Sequence, residues 1–176
     1  MNKPRARLLY TLTGTLLVFS LILFPLRSAL GQTLAPDDLY PEMDVKSLWG
    51  PSLADDDTTP SFSDFTDFGS QPVTGGTYFV TFVISNTGDL DLSLTGDTLV
   101  AISGTNASDF TLTELPTTPV DALTGSTTFT VLFDPSGEGL RTATISIDND
   151  DPDENPYDFA IQGTGLLVPE IDVRGN

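Results

Sequence analysis

Cysteine and histidine are both absent from the 176 residues, and only 7 residues are Lys or Arg against 25 Asp or Glu. Without Cys there is no disulfide framework, thiol nucleophile or thiolate zinc site. Without His there is no Ser/His/Asp triad and no imidazole-bound metal. Scarce positive charge disfavours nucleic acid and anionic membrane surfaces as partners, because binding phosphate needs clustered Lys and Arg. A helix-period apolar pattern is missing beyond the N-terminus, so a helical domain is excluded as well. The chemistry left to the chain is that of carboxylates and hydroxyls.

The few basic residues are placed informatively. Lys3, Arg5 and Arg7 precede an uncharged, largely apolar stretch from Leu8 to Leu26, followed by Arg27 and the small-x-small tripeptide Ala29, Leu30, Gly31. This order is that of a secretory signal peptide over residues 1–31, a helical apolar segment with cleavage after Gly31. An uncleaved membrane anchor is the alternative, since 19 residues approach the length of a bilayer span. On either reading the remainder leaves the cytoplasm and is secreted, extracellular or associated with the cell surface. Cleavage would leave only Lys46, Arg141 and Arg174 against 25 acids, an excess of 22 negative charges. Such a charge keeps an extracellular protein soluble and discourages pairing between sheet edges.

A polar spacer at 32–40 leads into a segment whose opening recurs. Pro41, Glu42, Met43, Asp44, Val45 and Lys46 match Pro169, Glu170, Ile171, Asp172, Val173 and Arg174. Residues 41–168 are therefore expected to form one repeat, and residues 169–176 the first strand of a second repeat, cut short. Within 41–168 the apolar period is two. Tyr78, Val80, Phe82 and Ile84 alternate with more polar neighbours and stop at Asn86, Thr87, Gly88. Leu90, Leu92 and Leu94, then Val100 and Ile102, Phe110 and Leu112, Phe129, Val131 and Phe133, Ala143, Ile145 and Ile147, and finally Phe159 and Ile161 form further rows. Seven or more short strands spaced in this way predict an all-β, immunoglobulin-like antiparallel two-sheet sandwich. A domain of this length buries roughly two thirds of its unfolded surface, enough to fold on apolar packing alone.

The opening Pro41 to Val45, the strand ending in Ser85, Asn86, Thr87, Gly88, the Phe133 to Pro135 turn with Gly139 after it, and the run from Ile147 through Tyr157 to Gly165 resemble the choice-of-anchor D domain. That family belongs with the Hydin-type (ASH) immunoglobulin-like domains. The resemblance covers residues 41–168. It implies a bacterial secreted or surface protein of tandem sandwiches that ends in one of several unrelated anchors, and it supplies no catalytic residues. No C-terminal apolar tail or sorting motif is present in these residues, so surface attachment is an implication of the resemblance.

Two acidic clusters invite a metal reading. Asp55, Asp56 and Asp57 form one; Asp148, Asn149, Asp150, Asp151, Asp153 and Glu154, with Asn155 and Asp158 nearby and Pro152 and Pro156 as turn formers, form the other. Calcium takes six to eight oxygens from flexible loops. Neither cluster has the Gly and Glu placements of a twelve-residue calcium loop, and loops of a very acidic chain collect carboxylates in any case. Calcium at 148–154 is thus a candidate only, with no cofactor otherwise expected. A glycosidase would need paired carboxylates in a deep cleft, which small sandwiches seldom offer, so no enzyme activity is expected. Trp49, with Tyr40 and Leu48, is a candidate patch for a glycan or protein, or else packs at the end of its own sandwich or between repeats. Asn106, Ala107, Ser108 is formally a glycosylation sequon. The expected function is a non-catalytic structural or interaction module of a repeat protein, with a calcium- or carbohydrate-binding adhesion module as the alternative. Partners would be other repeats of the same or neighbouring chains, or a cell-surface protein or glycan. Membrane contact would come only through the signal segment or an anchor outside this sequence.

Overall fold

A computed structural model describes residues 39–169. The expected signal segment at 1–31, most of the spacer at 32–40, and residues 170–176 of the expected second repeat lie outside the described residues. Within them the chain forms β1 (Met43–Ser47), β2 (Asp67–Pro72), β3 (Tyr78–Asn86), β4 (Ala101–Ser103), β5 (Phe110–Glu114), β6 (Gly125–Phe133), β7 (Gly139–Ile147) and β8 (Tyr157–Leu166). One sheet has the order β1-β3-β6-β5 and the other β2-β8-β7-β4. This is an immunoglobulin-like sandwich.

The alternating rows close it. Val80, Phe82 and Ile84 of β3 are buried, as are Phe129, Val131 and Phe133 of β6, Ile145 and Ile147 of β7, and Phe159 and Ile161 of β8. Phe82 stacks on Phe129 at 5.2 Å between ring centroids and meets Phe159 of the facing sheet at 5.3 Å. Each such aromatic buries on the order of 200 Å² and adds a pair term of about 1 kcal/mol. β8 continues inward with Gly163, where a Cβ would stand only 2.4 Å from the Phe133 ring, so the ring occupies the space a side chain would need.

Three details depart from the expected all-antiparallel rows. β2 pairs with β8 in parallel. The cause is topological: after β1 the chain crosses to the other sheet and resumes the same direction, which is also that of β8. β2 itself carries no alternating row, since only Phe68 of its sequence DFGSQP is buried. The row of Leu90, Leu92 and Leu94 does not make a strand. Leu92 bridges to Val120 and Leu94 to Asn149, partners that follow β5 and β7 in different sheets, so the segment crosses between layers and leaves Leu90 exposed.

The registers fix where the chain enters and leaves. Met43 faces Asn86 and Asn86 faces Gly125, so the start of β1 lies at what we term the leading pole. Tyr78 faces Phe133, and Leu166 lies beside Pro72, so β8 ends at the opposite, trailing pole.

Candidate functional site

The trailing pole carries an aromatic shelf. The last partner of β1 is Ser47 opposite Phe82, so residues 78–81 of β3 run on past β1 without a strand on that side. Tyr78 and Phe79 are left exposed there, and the turn after β1 lays Trp49 beside them, 82% exposed. Ser47, Leu48, Trp49, Phe65 and Tyr78 with β3 enclose a cleft of about 180 Å³. Phe65 and Tyr78 also wall an adjoining cleft of about 240 Å³ that reaches Phe62 and Gln71. Phe62 is 71% and Phe79 56% exposed, so exposed aromatic rings border both clefts. The Ser47 hydroxyl is buried under Gly50, where a Cβ would come within 2.3 Å of it. Beneath the shelf, Phe68 makes edge contacts with Tyr78, Phe110 and Phe133, which hold Tyr78 in place.

Trp49, singled out in the sequence, therefore stands on the rim of this face and does not cover the end of its own sandwich. Tyr40, proposed as its neighbour, belongs to the opposite pole, where its carbonyl accepts from Asp89. The other members, Phe62, Phe65, Tyr78 and Phe79, carry no distinguishing pattern in the sequence. Tyr78 and Phe79 read as ordinary strand residues, and only the offset between β1 and β3 exposes them.

The leading pole is polar and internally bonded. Asn86 is fully buried and uses its whole amide: Nδ2 donates to the carbonyls of Leu90 and Val120, and Oδ1 accepts from the backbone of Glu42 and Gly88. Asp151, 1% exposed, accepts from Met43 N at 2.7 Å and from Asp153 N. Asn149 is equally committed, donating to the Ile147 and Glu154 carbonyls and accepting from Asp151 N. These bonds pin the 148–156 loop to the start of β1.

Of the calcium candidates, the structure brings Asp151 and Asp153 together, and adds Glu42, the residue just ahead of β1; carboxylate oxygens of the three lie within 4.8 Å of one another. Glu42 is 109 positions from Asp151 in sequence and joins it only through the Met43 backbone bond. Asp150 instead accepts from Ser93 N, the Asp148 carbonyl from Thr95 N, and Asn149 is held structurally. Asp55 accepts from Asp158 N in strand β8, which ties the 55–57 turn to the sheet. Burial and the neighbouring carboxylates of Asp151 and Glu42 push Glu154 up to about 7. Burial first, then the charges of Asp151 and Asp153, raises Glu42, and burial first, then the neighbouring Asp153 carboxyl, raises Asp151. Bound through one oxygen each, three carboxylates would supply three of the six to eight oxygens that calcium takes, and each Asp151 oxygen also accepts a backbone N–H.

Asp56, Asp57 and Asp158 border a depression of about 130 Å³ beside β8. All three clefts fall below the roughly 300 Å³ at which small-molecule sites usually begin.

No protein-family model matches the chain, and no curated protein matches it. Among solved structures, a Porphyromonas gingivalis W83 protein of unknown function is 19% identical, covers 73% of this chain and 68% of its own, and superposes with a TM-score of 0.46. The ASH/PapD-like domain of human CEP192, its PapD-like domain 7, is 16% identical over 58% of this chain and 84% of its own, with a TM-score of 0.40. The fold assignment rests on the strand order above and not on these likenesses.

Proposed function

We propose that the chain is a non-catalytic structural and interaction module of a secreted or cell-surface bacterial repeat protein of the choice-of-anchor D, Hydin/ASH-like type. The observation that carries this reading is the position of the two chain ends at opposite poles, β1 starting at one and β8 ending at the other. A unit threaded in this way extends along its own axis when repeated. The recurrence of Pro41–Lys46 as Pro169–Arg174 supports it, since Ile171 and Val173 stand at the sequence positions of Met43 and Val45, which are buried in β1. Its mechanism is geometric: an apolar two-sheet core makes a stiff spacer that holds other elements away from the cell.

Clefts below the usual volume of small-molecule sites support a role without catalysis. The basic start and apolar run at 1–31 support export, and the shelf at Trp49 supports contact with another repeat or a surface partner. The test is to extend the chain past Asn176 with its own residues 49–168, so that 169–176 stand in for 41–48. A tandem module yields two folded sandwiches, doubling the strand signal in far-UV circular dichroism per molecule. An unfolded added unit would overturn the tandem reading, and turnover of any glycan by the purified chain would overturn the non-catalytic one.

A further inference from the structure

We propose that the aromatic shelf around Trp49 and Tyr78 is the seat for the leading pole of the sandwich that follows in the same chain, so that successive units dock end to end. This rests on the tandem reading above. Four features of the structure support it.

The chain leaves beside the shelf: Gln71, which lines the second cleft, pairs with Gly165, and Val73 N donates to the Leu166 carbonyl at 2.9 Å. Leu166, Leu167 and Val168 are exposed, so apolar surface continues from the shelf along the departing chain. The spacing then forces contact. If Ile171 begins the next β1 as Met43 begins this one, only residues 167–170 intervene after Leu166, a reach of at most about 18 Å fully extended. The loops at 87–91 and 148–156 are bonded to residues 40–43 at the start of β1, and their counterparts in the next unit would face that gap.

The two poles also differ in charge. Glu42, Asp151, Asp153 and Glu154 gather at the leading pole. The cleft walled by Trp49, Phe65 and Tyr78 has no charged side chain in its lining, and the adjoining cleft has one, Asp67. Two leading poles would repel, whereas a leading pole can meet the shelf, where the indole N–H and the tyrosine O–H are donors for its carboxylates. An end-to-end contact of this kind belongs to the range of interfaces between domains of one chain, roughly 600–1,500 Å².

Trp49 is the only tryptophan in the sequence and therefore reports on the shelf directly. The measurement uses the extended chain with Trp49→Phe in the added unit, compared with the chain ending at Asn176. Docking shifts Trp49 emission to shorter wavelength and lowers acrylamide quenching several-fold, and Tyr78→Ser in the first unit reverses both. Two folded sandwiches with Trp49 as accessible as in the single unit would overturn docking while leaving the tandem reading intact. Failure of the added unit to fold, read by circular dichroism, would overturn the tandem reading itself. A Trp49 that stays accessible in the extended chain but is shielded by added polysaccharide would make the shelf a glycan surface and overturn docking.

Discussion

The two poles of this sandwich solve the problem of closing a β-structure in opposite ways. At the leading pole the loops are held by buried polar side chains, Asn86 making four hydrogen bonds and Asn149 three through its side chain. At the trailing pole β3 overruns β1, and aromatic surface is left uncovered. The same core lies under both ends. What differs is how each end is covered, by polar bonds at one and by exposed aromatic rings at the other, so the functional surface is sought at the exposed rings.

That contrast can be broken most severely at Asn86. Asn86→Ala strips a fully buried amide and leaves two carbonyls and two N–H groups without their partner, and should cost about 3 kcal/mol or more in urea unfolding. A loss below about 1 kcal/mol would mean that the leading pole is not held by this residue.

The trailing pole also has a charged tie. Arg141 Nε donates to the buried carboxylate of Asp109, and although burial opposes it, the bonds from Arg141 and Ser136 hold that carboxyl below its ordinary value. Arg141→Leu leaves Asp109 buried without its cation and should cost about 2–3 kcal/mol, discounted for the partial exposure of Arg141.

Acid and base then separate the poles. Glu154 is raised to about 7 in the folded protein against 4.5 ordinarily, so the fold holds a proton that the unfolded chain releases between those values. Its contribution is most favourable below about 4.5 and is lost as pH rises toward 8, a fall on the order of 1–2 kcal/mol that Glu154→Gln should abolish. Asp109 has the opposite sign: its stabilisation is present above its ordinary value of 3.8 and lost as pH falls below it. A stability profile from pH 3 to 8 should therefore peak near 4 to 5, with Glu154→Gln flattening only the alkaline side.

Because the Asp151 oxygens are already bonded, calcium and ionic-strength-matched sodium should raise the unfolding temperature equally, through screening of the acidic charge. A rise specific to calcium, abolished by Asp153→Asn, would show that the carboxylates close on a cation. The smallest effect is expected at the shelf of the single unit, where Trp49→Ala should change stability by less than about 0.5 kcal/mol.

What the sequence disclosed and what it hid follow the same division. Rows such as Val80, Phe82, Ile84 and Phe129, Val131, Phe133 are legible because each strand buries one face, and the burial writes a period of two into the chain. β2 was not legible because it holds its place through backbone pairing with β8 and one buried ring, Phe68. Asn86 read as a turn residue, yet its amide binds Leu90 and Val120 from inside the fold, a role set by contacts 4 and 34 residues away. The acidic loop stood out by composition, but which of its carboxylates meet, and that Glu42 meets them, depends on a hydrogen bond spanning 108 residues. The shelf exists because of an offset in strand register, which no local pattern records.

The most direct measurement is small-angle X-ray scattering of the chain extended past Asn176 by residues 49–168. Opposite poles and end-to-end docking require a rod whose maximum dimension is close to twice that of the single sandwich, with a narrow distribution. A compact pair lying side by side, or a broad distribution from two freely swinging units, would contradict them.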